Sequence, residues 1–513
     1  MNIASFARST LSPVERLIAA LIDPHRRERA AIGTLVAYAA VWTLYGVLSN
    51  GSRDVHFDMG ELVAWTREPA LGYAEHPPLV VWLAALWFTV FPRADWASYL
   101  LAMTAVGIGL WAAWRLSARW LDGEKRIVAL ALLTLIPLLN FQALRFNPNV
   151  VIIPLWSLTT LWFLRSFETR RPGDAAIAGV FAAVAVLGKY WSLYLLAGLA
   201  LAALLDSRRG TYLRSVAPWV TVGVAVAALA PHYAWLAAHD FAPLRYAINV
   251  FGGWTWAQRA GFALHYLAGA TAYVALPVGL ALLAAGVTRG AAADMLLPAT
   301  ADRRFAALAF WVPLLLPALV VVIADSRINS ISTMPCWTLL PIVLLSSPLV
   351  TISVPATLRI TALAVAFPLI MVVVAPVIAL VIHFIGVDHY GTHYRLVAAA
   401  VEREWRQASA HPLRMIGGDP FLVRGVEFYL ADRPSISDDL LSVDSRRIDR
   451  RRIETEGMAL VCPVENLGCE VKANLYAARE PTARRTMIDI VRRYLGFAGA
   501  PERYLIVIVP PRM

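Results

Sequence analysis

The sequence predicts a polytopic α-helical membrane protein, of about 11–13 transmembrane helices, that ends in a small α/β domain. Three observations carry this reading. The chain is 59% hydrophobic with only 16% charged side chains, too apolar for a surface that water must solvate throughout. Apolar runs long enough to cross about 30 Å of hydrocarbon as helices recur up to residue 386. From residue 388 the composition changes: the last 126 residues carry 19 Lys+Arg and 17 Asp+Glu, against 27 and 18 before them. The chain therefore divides into a membrane part, 1–387, and a second domain, 388–513.

In chain order, the first thirty residues have no continuous apolar core followed by a small-residue cleavage site, so no cleavable signal peptide is expected. The basic cluster Arg16 to Arg29 reads as a cytoplasmic anchor. Apolar runs follow near 30–48, 77–92, 96–116, 126–143, 148–166, 175–188, 190–205, 214–236, 260–287, 304–324, 332–350 and 356–386. The run 77–92 is short, opens on Pro77-Pro78 and carries Trp82 and Trp87, which suits a helix lying at the interface. If it does not cross, the loops 117–126, 165–174, 206–214 and 288–304 share the side of the N-terminus and hold twelve basic residues, against five in the opposite short loops. The positive-inside rule then favours eleven crossings, a cytoplasmic N-terminus and an external C-terminal domain. This threading treats 175–205 as two short helices broken at Gly188-Lys189.

The same threading gathers polar residues on the external side. Loop 49–95 holds Asp58, Glu61, Glu75 and His76; the turn Arg145-Phe146-Asn147-Pro148-Asn149, Lys189, the segment with His239 and Asp240, and the Asp325 to Asn329 turn with Arg327 emerge on that face. A carboxylate at the membrane boundary can serve as a general base on a hydroxyl or amine. Asp58 and Glu61 are three apart and share a face if helical; the plain alternative is a pair of solvated acids or a helix cap. Lys189 is a lone cation between two apolar segments, at a depth where an ionised group costs a few kcal/mol, about 2.5–3.5 at the bilayer centre. It is either a partner for an anion such as a lipid-linked phosphate, or a lysine that snorkels to the headgroups. Arg327 offers a second cation of the geometry that phosphate favours, or a headgroup anchor. His76, within Glu75-His76-Pro77-Pro78, is by itself a weak signal.

These motifs together resemble the bacterial membrane glycosyltransferases of the C-type fold, in the superfamily of dolichyl-phosphate-mannose protein mannosyltransferases and lipid A aminoarabinose transferases. The resemblance rests on Asp58, Trp65, Leu71-Gly72-Tyr73 and His76-Pro77-Pro78 in that order and spacing, on the 145–149 loop, on the Leu187-Gly188-Lys189-Tyr190 break and on the Trp235 to Asp240 segment. It departs from the family pattern at Met59, where relatives often carry a second acid, and at Asn147 and Asn149, where many carry Asp. Amides bind divalent cations more weakly than carboxylates, so a metal stays an open question. The resemblance implies transfer of a sugar from a polyprenyl-phosphate donor to an extracytoplasmic acceptor, a glycan, a lipid such as lipid A or lipopolysaccharide, or a protein. Asp58 is then the probable base, with Glu61 as its companion, while Glu75, His76, Arg145, Asn147, Asn149, Lys189, Tyr190, His239 and Arg327 bind substrate. No cofactor is required beyond a possible divalent cation, and no nucleic-acid partner is expected. The sequence contains no Gly-x-x-x-x-Gly-Lys-Ser/Thr for a nucleotide. The rival reading is a transporter or lipid flippase, whose polar groups are expected at the bilayer midplane of related halves.

In the terminal domain, RMIGGD, MALVCPV and RYLIVIV read as strands, and PFLVRGVEFYLADR and TARRTMIDIVRRYLG as amphipathic helices. Cys462 and Cys469 are seven positions apart, and an oxidising compartment would allow them to pair.

Overall fold

The computed structural model describes residues 12–437 and 450–512. Ser12 opens helix α1 (Pro13–Ile22) with a capping box: its hydroxyl accepts from Glu15 N, and the Glu15 carboxylate accepts from Ser12 N at 2.7 Å. There follow α2 (Arg27–Ser49), α3 (Phe57–Trp65), α4 (Leu79–Val90), α5 (Asp95–Ser117) and α6 (Gly123–Thr134). Two 3-10 turns, Pro137–Leu139 and Gln142–Leu144, lead to α7 (Pro148–Thr169), α8 (Pro172–Gly188), α9 (Ser192–Leu205), α10 (Arg209–Leu213) and α11 (Ala217–Ala238). Next come α12 (Ala242–Phe251), α13 (Trp256–Ala285), α14 (Arg289–Leu296) and α15 (Ala301–Ile323). A 3-10 segment, Ser330–Leu339, continues as α16 (Leu340–Leu345) before α17 (Val354–Ile385).

Among the described residues, seven helices (α2, α5, α7, α11, α13, α15 and α17) are long and apolar enough to cross a membrane, and α6 with its 3-10 turns makes an apolar pair bent by 72°. Shorter apolar helices, α8, α9 and Ser330–Leu345, occupy the other predicted apolar runs. Helix α4 has 12 residues, about 18 Å at 1.5 Å per residue, too short to span.

The chain forms two units. The first comprises the residues up to Thr43, Ala70–Val80 and Leu100–Ile370. Within it, Glu28 near the start of α2 accepts a hydrogen bond from Trp111 Nε1 at 2.8 Å and pairs with Arg115, near the end of α5, at 3.3 Å. The start of α2 and the end of α5 therefore share one membrane face, which leaves α4 uncrossed. On that face Arg119 pairs with Glu168 at 2.5 Å and Asp302 at 3.4 Å, and Arg208 with Asp302 at 2.8 Å. The four basic loops meet as the charge pattern predicts.

The second unit comprises Leu44–Pro69, Val81–Tyr99 and the chain from Met371 onward. It adds α18 (Tyr394–Ala408), β1 (Met415–Gly418), α19 (Pro420–Tyr429), β2 (Ser435–Ser437), α20 (Arg450–Glu456), β3 (Met458–Pro463), α21 (Leu467–Arg479), β4 (Arg484–Tyr494) and β5 (Phe497–Val509). The sheet order is β2-β1-β3-β5-β4, with β1 parallel to β2 and β3, and β5 antiparallel to β3 and β4. One face packs Val397, Val401, Trp405, Leu422 and Val426 against Ile506, and the other packs Ile453 and Ala473 against Leu460 and Val507. Cys462 and Cys469 form a disulfide, with Cα atoms 5.6 Å apart, that ties the end of β3 to the start of α21.

One predicted element is overturned. TARRTMIDIVRRYLG forms strand β4, not an amphipathic helix. Thr486, Ile488 and Ile490 alternate inward while Arg485, Met487, Asp489 and Val491 are exposed, the period of a strand with one covered face. Leu495 and Gly496, at φ 49° and 87°, make the two-residue turn that returns the chain as β5.

Helices α18, α19 and α3 stack through glycines. A Cβ on Gly425 would enter the Tyr394 ring, and one on Gly60 would lie 2.8 Å from Arg424 O. Beyond α18, His393 Nδ1 lies 3.1 Å from Glu502 Oε2 and 2.8 Å from Tyr504 Oη. The hydrogen bond from His393 holds the Glu502 carboxyl below the usual carboxylate range.

Two outcomes are expected. Gly425→Ala overpacks the α18–α19 contact and lowers the thermal midpoint of the detergent-solubilised protein by an amount equivalent to about 1–3 kcal/mol; an unchanged melting curve would refute the contact. A carboxyl whose folded-state pKa is depressed stabilises above the ordinary carboxylate range and loses that contribution as pH falls through its folded-state value. Melting of the wild type is accordingly expected to weaken from pH 7 to pH 3.5 more than melting of Glu502→Gln.

Candidate active site

The acids predicted to do chemistry sit on α3. Its N-cap is His56, whose Nδ1 accepts from Asp58 N at 3.2 Å, and Asp58 Oδ1 lies 3.4 Å from the same nitrogen. Asp58 occupies the first turn, where unpaired backbone N–H groups favour a carboxylate, and its side chain is 38% exposed. Glu61, one turn on, is 5% exposed and pairs with Arg424 of α19. The two acids thus have different environments: Asp58 can be reached by a hydroxyl, whereas Glu61 is buried in an ion pair with the half-buried Arg424.

In the membrane unit, Lys189 sits in extended backbone at the break between α8 and α9. Its ammonium donates to Asn149 Oδ1 at 2.5 Å and Ser332 Oγ at 3.3 Å, and lies 5.5 Å from the Trp191 ring centroid. Both oxygens are neutral, so the site keeps its positive charge. Asn147 caps α7 by accepting from Asn149 N at 3.0 Å. The oxygens of both amides are thus engaged, and a divalent cation beside an ammonium is disfavoured by like charge, so the 145–149 loop does not fit a metal. Arg145, half-buried, ends the 3-10 turn Gln142–Leu144. Glu75 and His76 are half-buried in a turn closed by Tyr73 N donating to His76 O at 3.1 Å. Their carboxylate and imidazole are the donor types that a divalent cation takes.

A second cluster orders the Leu71-Gly72-Tyr73 segment. His232, buried on α11, has Nδ1 2.6 Å from Leu71 O and Nε2 2.8 Å from Tyr190 Oη. Trp235, one turn on, stacks on His239 at 4.2 Å and lies against Gly72, where a Cβ would enter the indole. Tyr190 therefore joins the Lys189 break to the 71–73 segment through His232. His239 is exposed, with Nδ1 2.8 Å from Trp235 O. Arg327 is exposed with its guanidinium 5.7 Å from the Phe262 ring centroid. Nearby, the Asp325 carboxylate accepts from Gly253 N and Trp254 N at 2.9 Å each, which brings the 252–259 and 325–329 segments together. Neither His232 nor Ser332 was singled out in the sequence. The spacing of His232, Trp235 and His239, at i, i+3 and i+7 on one helical face, was the available signal.

Residues 75–235 match the family model described as dolichyl-phosphate-mannose-protein mannosyltransferase. The fold is similar to that of ArnT from Cupriavidus metallidurans, solved in the apo state and bound to undecaprenyl phosphate. Each comparison covers 93% of this chain and 98% of that chain at 14% identity, with TM-scores of 0.60 and 0.59. No curated protein matches by sequence.

Gly72→Ala is expected to push the 71–73 segment off Trp235. Quenching of tryptophan fluorescence by iodide should rise in this variant relative to the wild type; equal quenching would refute the packing.

Proposed function

We propose that this chain, whose residues 75–235 match the mannosyltransferase family model and whose fold is similar to that of ArnT, is a membrane glycosyltransferase that transfers a sugar from a polyprenyl-phosphate donor to an acceptor on the extracytoplasmic side. It acts as a multi-pass protein of the inner membrane, with the reacting groups and the 388–513 domain facing the periplasm. The observation that carries this reading is Lys189: an ammonium at a helix break within apolar sequence whose hydrogen bonds run to two neutral oxygens. Such a site stabilises an arriving anion, and charge on a departing phosphate more than on the bound diester.

In the reaction, the Asp58 carboxylate takes the proton of the acceptor hydroxyl or amine. The freed electron pair attacks the anomeric carbon as the bond from that carbon to the phosphate oxygen breaks. Polyprenyl phosphate leaves as a monoester carrying the extra negative charge, held by Lys189 and joined by Arg327 from the 325–329 turn. Tyr190 and His239, with Arg145, Asn147 and Asn149, shape the donor pocket. Glu75 and His76 bind substrate hydroxyls, and they are the pair that would hold a divalent cation, which would add positive charge beside the phosphate. Glu61 positions α3 through Arg424. The predicted threading, with its polar residues in loops of one side, also favours transfer over transport, for which ionisable groups line a path across the midplane.

Asp58→Asn is expected to abolish transfer from a radiolabelled polyprenyl-phosphate sugar in proteoliposomes while the melting curve stays normal; near-normal turnover removes Asp58 from the role of base. Lys189→Ala is expected to weaken polyprenyl-phosphate binding by about one to two orders of magnitude, read by native mass spectrometry, since a charged hydrogen-bond partner contributes about 1.5–3 kcal/mol. Unchanged affinity would make Lys189 a snorkelling residue.

A further inference from the structure

Three aromatic rings form an open platform in the second unit, beginning at the residue before Asp58. Phe421, the second residue of α19, is 43% exposed. It stacks on His389, also exposed, with centroids 4.3 Å apart and planes 14° from parallel. Phe57, the first residue of α3, meets Phe421 at 5.0 Å and His389 at 5.6 Å. The Arg424 guanidinium lies 5.8 Å from the Phe57 ring.

The platform is held at a conformational cost. His389 and Tyr390 both adopt φ 59°, consecutive left-handed residues without a glycine, and each such residue costs about 1–3 kcal/mol unless its surroundings dictate it. Here they do. Tyr394 Oη donates to His389 O, His393 N to Tyr390 O at 2.9 Å, and Asp54 N to Gly391 O at 2.8 Å. The fold thus spends hydrogen bonds from three residues to keep an imidazole flat against an exposed phenyl ring, an arrangement that interior packing does not call for.

We propose that this platform is the acceptor subsite and that its occupant is a pyranose ring, stacked by its C–H face so that a hydroxyl reaches Asp58. This rests on the transfer reading and names its acceptor as a glycan. The chemistry on the page selects that occupant. A sugar has an apolar face, which exposed rings cover, and a hydroxyl rim. Hydrogen-bonding groups lie next to these rings: His56 and Asp58 flank Phe57 in the chain, and the Arg424 guanidinium lies 5.8 Å from the Phe57 ring. A patch made for lipid tails has no such border, and a peptide needs an open strand edge or a groove, neither of which the three rings provide.

The test uses the full chain in nanodiscs and delipidated lipopolysaccharide core oligosaccharide as the probe, read by saturation transfer to its ring protons. Wild type is expected to saturate the ring C–H protons. Phe421→Leu, which keeps the apolar bulk without the ring, is expected to bind about tenfold more weakly, and Phe421→Trp to retain binding. Equal saturation in Phe421→Leu and wild type overturns the platform, as does displacement of the oligosaccharide by a serine-rich peptide. A wild type that binds the probe through Phe421 yet moves no sugar from polyprenyl-phosphate donor overturns the transfer reading and leaves the platform standing.

Discussion

The close approach of α3 to α19 governs the placement of Asp58, the proposed base. Gly60 lets the two backbones touch, and the ion pair of the buried Glu61 with the half-buried Arg424 ties α3 to α19. A second glycine, Gly425, seats the other face of α19 on Tyr394 of α18. Asp58 is thereby carried by a short helix whose orientation is set by the α/β unit rather than by its own nine residues, which are too few to form a stable helix alone. The neighbouring Asp54 carboxylate is fully buried and meets Arg492 at 2.7 Å. It fixes the loop entering α3 in the same way.

The membrane unit solves a different problem. Its spans must keep backbone polar groups satisfied in hydrocarbon, yet the proposed chemistry calls for an unneutralised cation. Breaking the α8–α9 run at Gly188-Lys189 meets both demands: Lys189 leaves the helical ladder where neutral side chains can solvate it. Tyr190 and His232 then extend the same polar thread to the Leu71 carbonyl.

Much of this was legible in the sequence. Hydropathy marked the seven long apolar helices, and the pair of Glu28 with Arg115 agrees with the reading of 77–92 as a helix that stays at the surface. The acids of 58–76 stood out because charges are rare in such sequence. What was not legible is of two kinds. Strand β4 was taken for a helix because Arg484, Arg485, Arg492 and Arg493 suggest a polar helical face, whereas the deciding inward period of Thr486, Ile488 and Ile490 becomes plain only against β5. The partners of Glu61, Lys189 and Tyr190 lie on distant elements, and nothing local in their segments names Arg424, Ser332 or His232.

The span of 363 residues between Glu61 and Arg424 has a consequence for biogenesis. At roughly 5–20 residues added per second, the ribosome makes α3 about 20–70 s before it makes the helix that will receive it. During that interval the nascent segment lacks the ion pair and the glycine contact that later hold it, which makes it a natural client for a holdase. Severing the gene after the last span would leave that client stranded, so the two halves of this protein are expected to mature only as one continuous translation product.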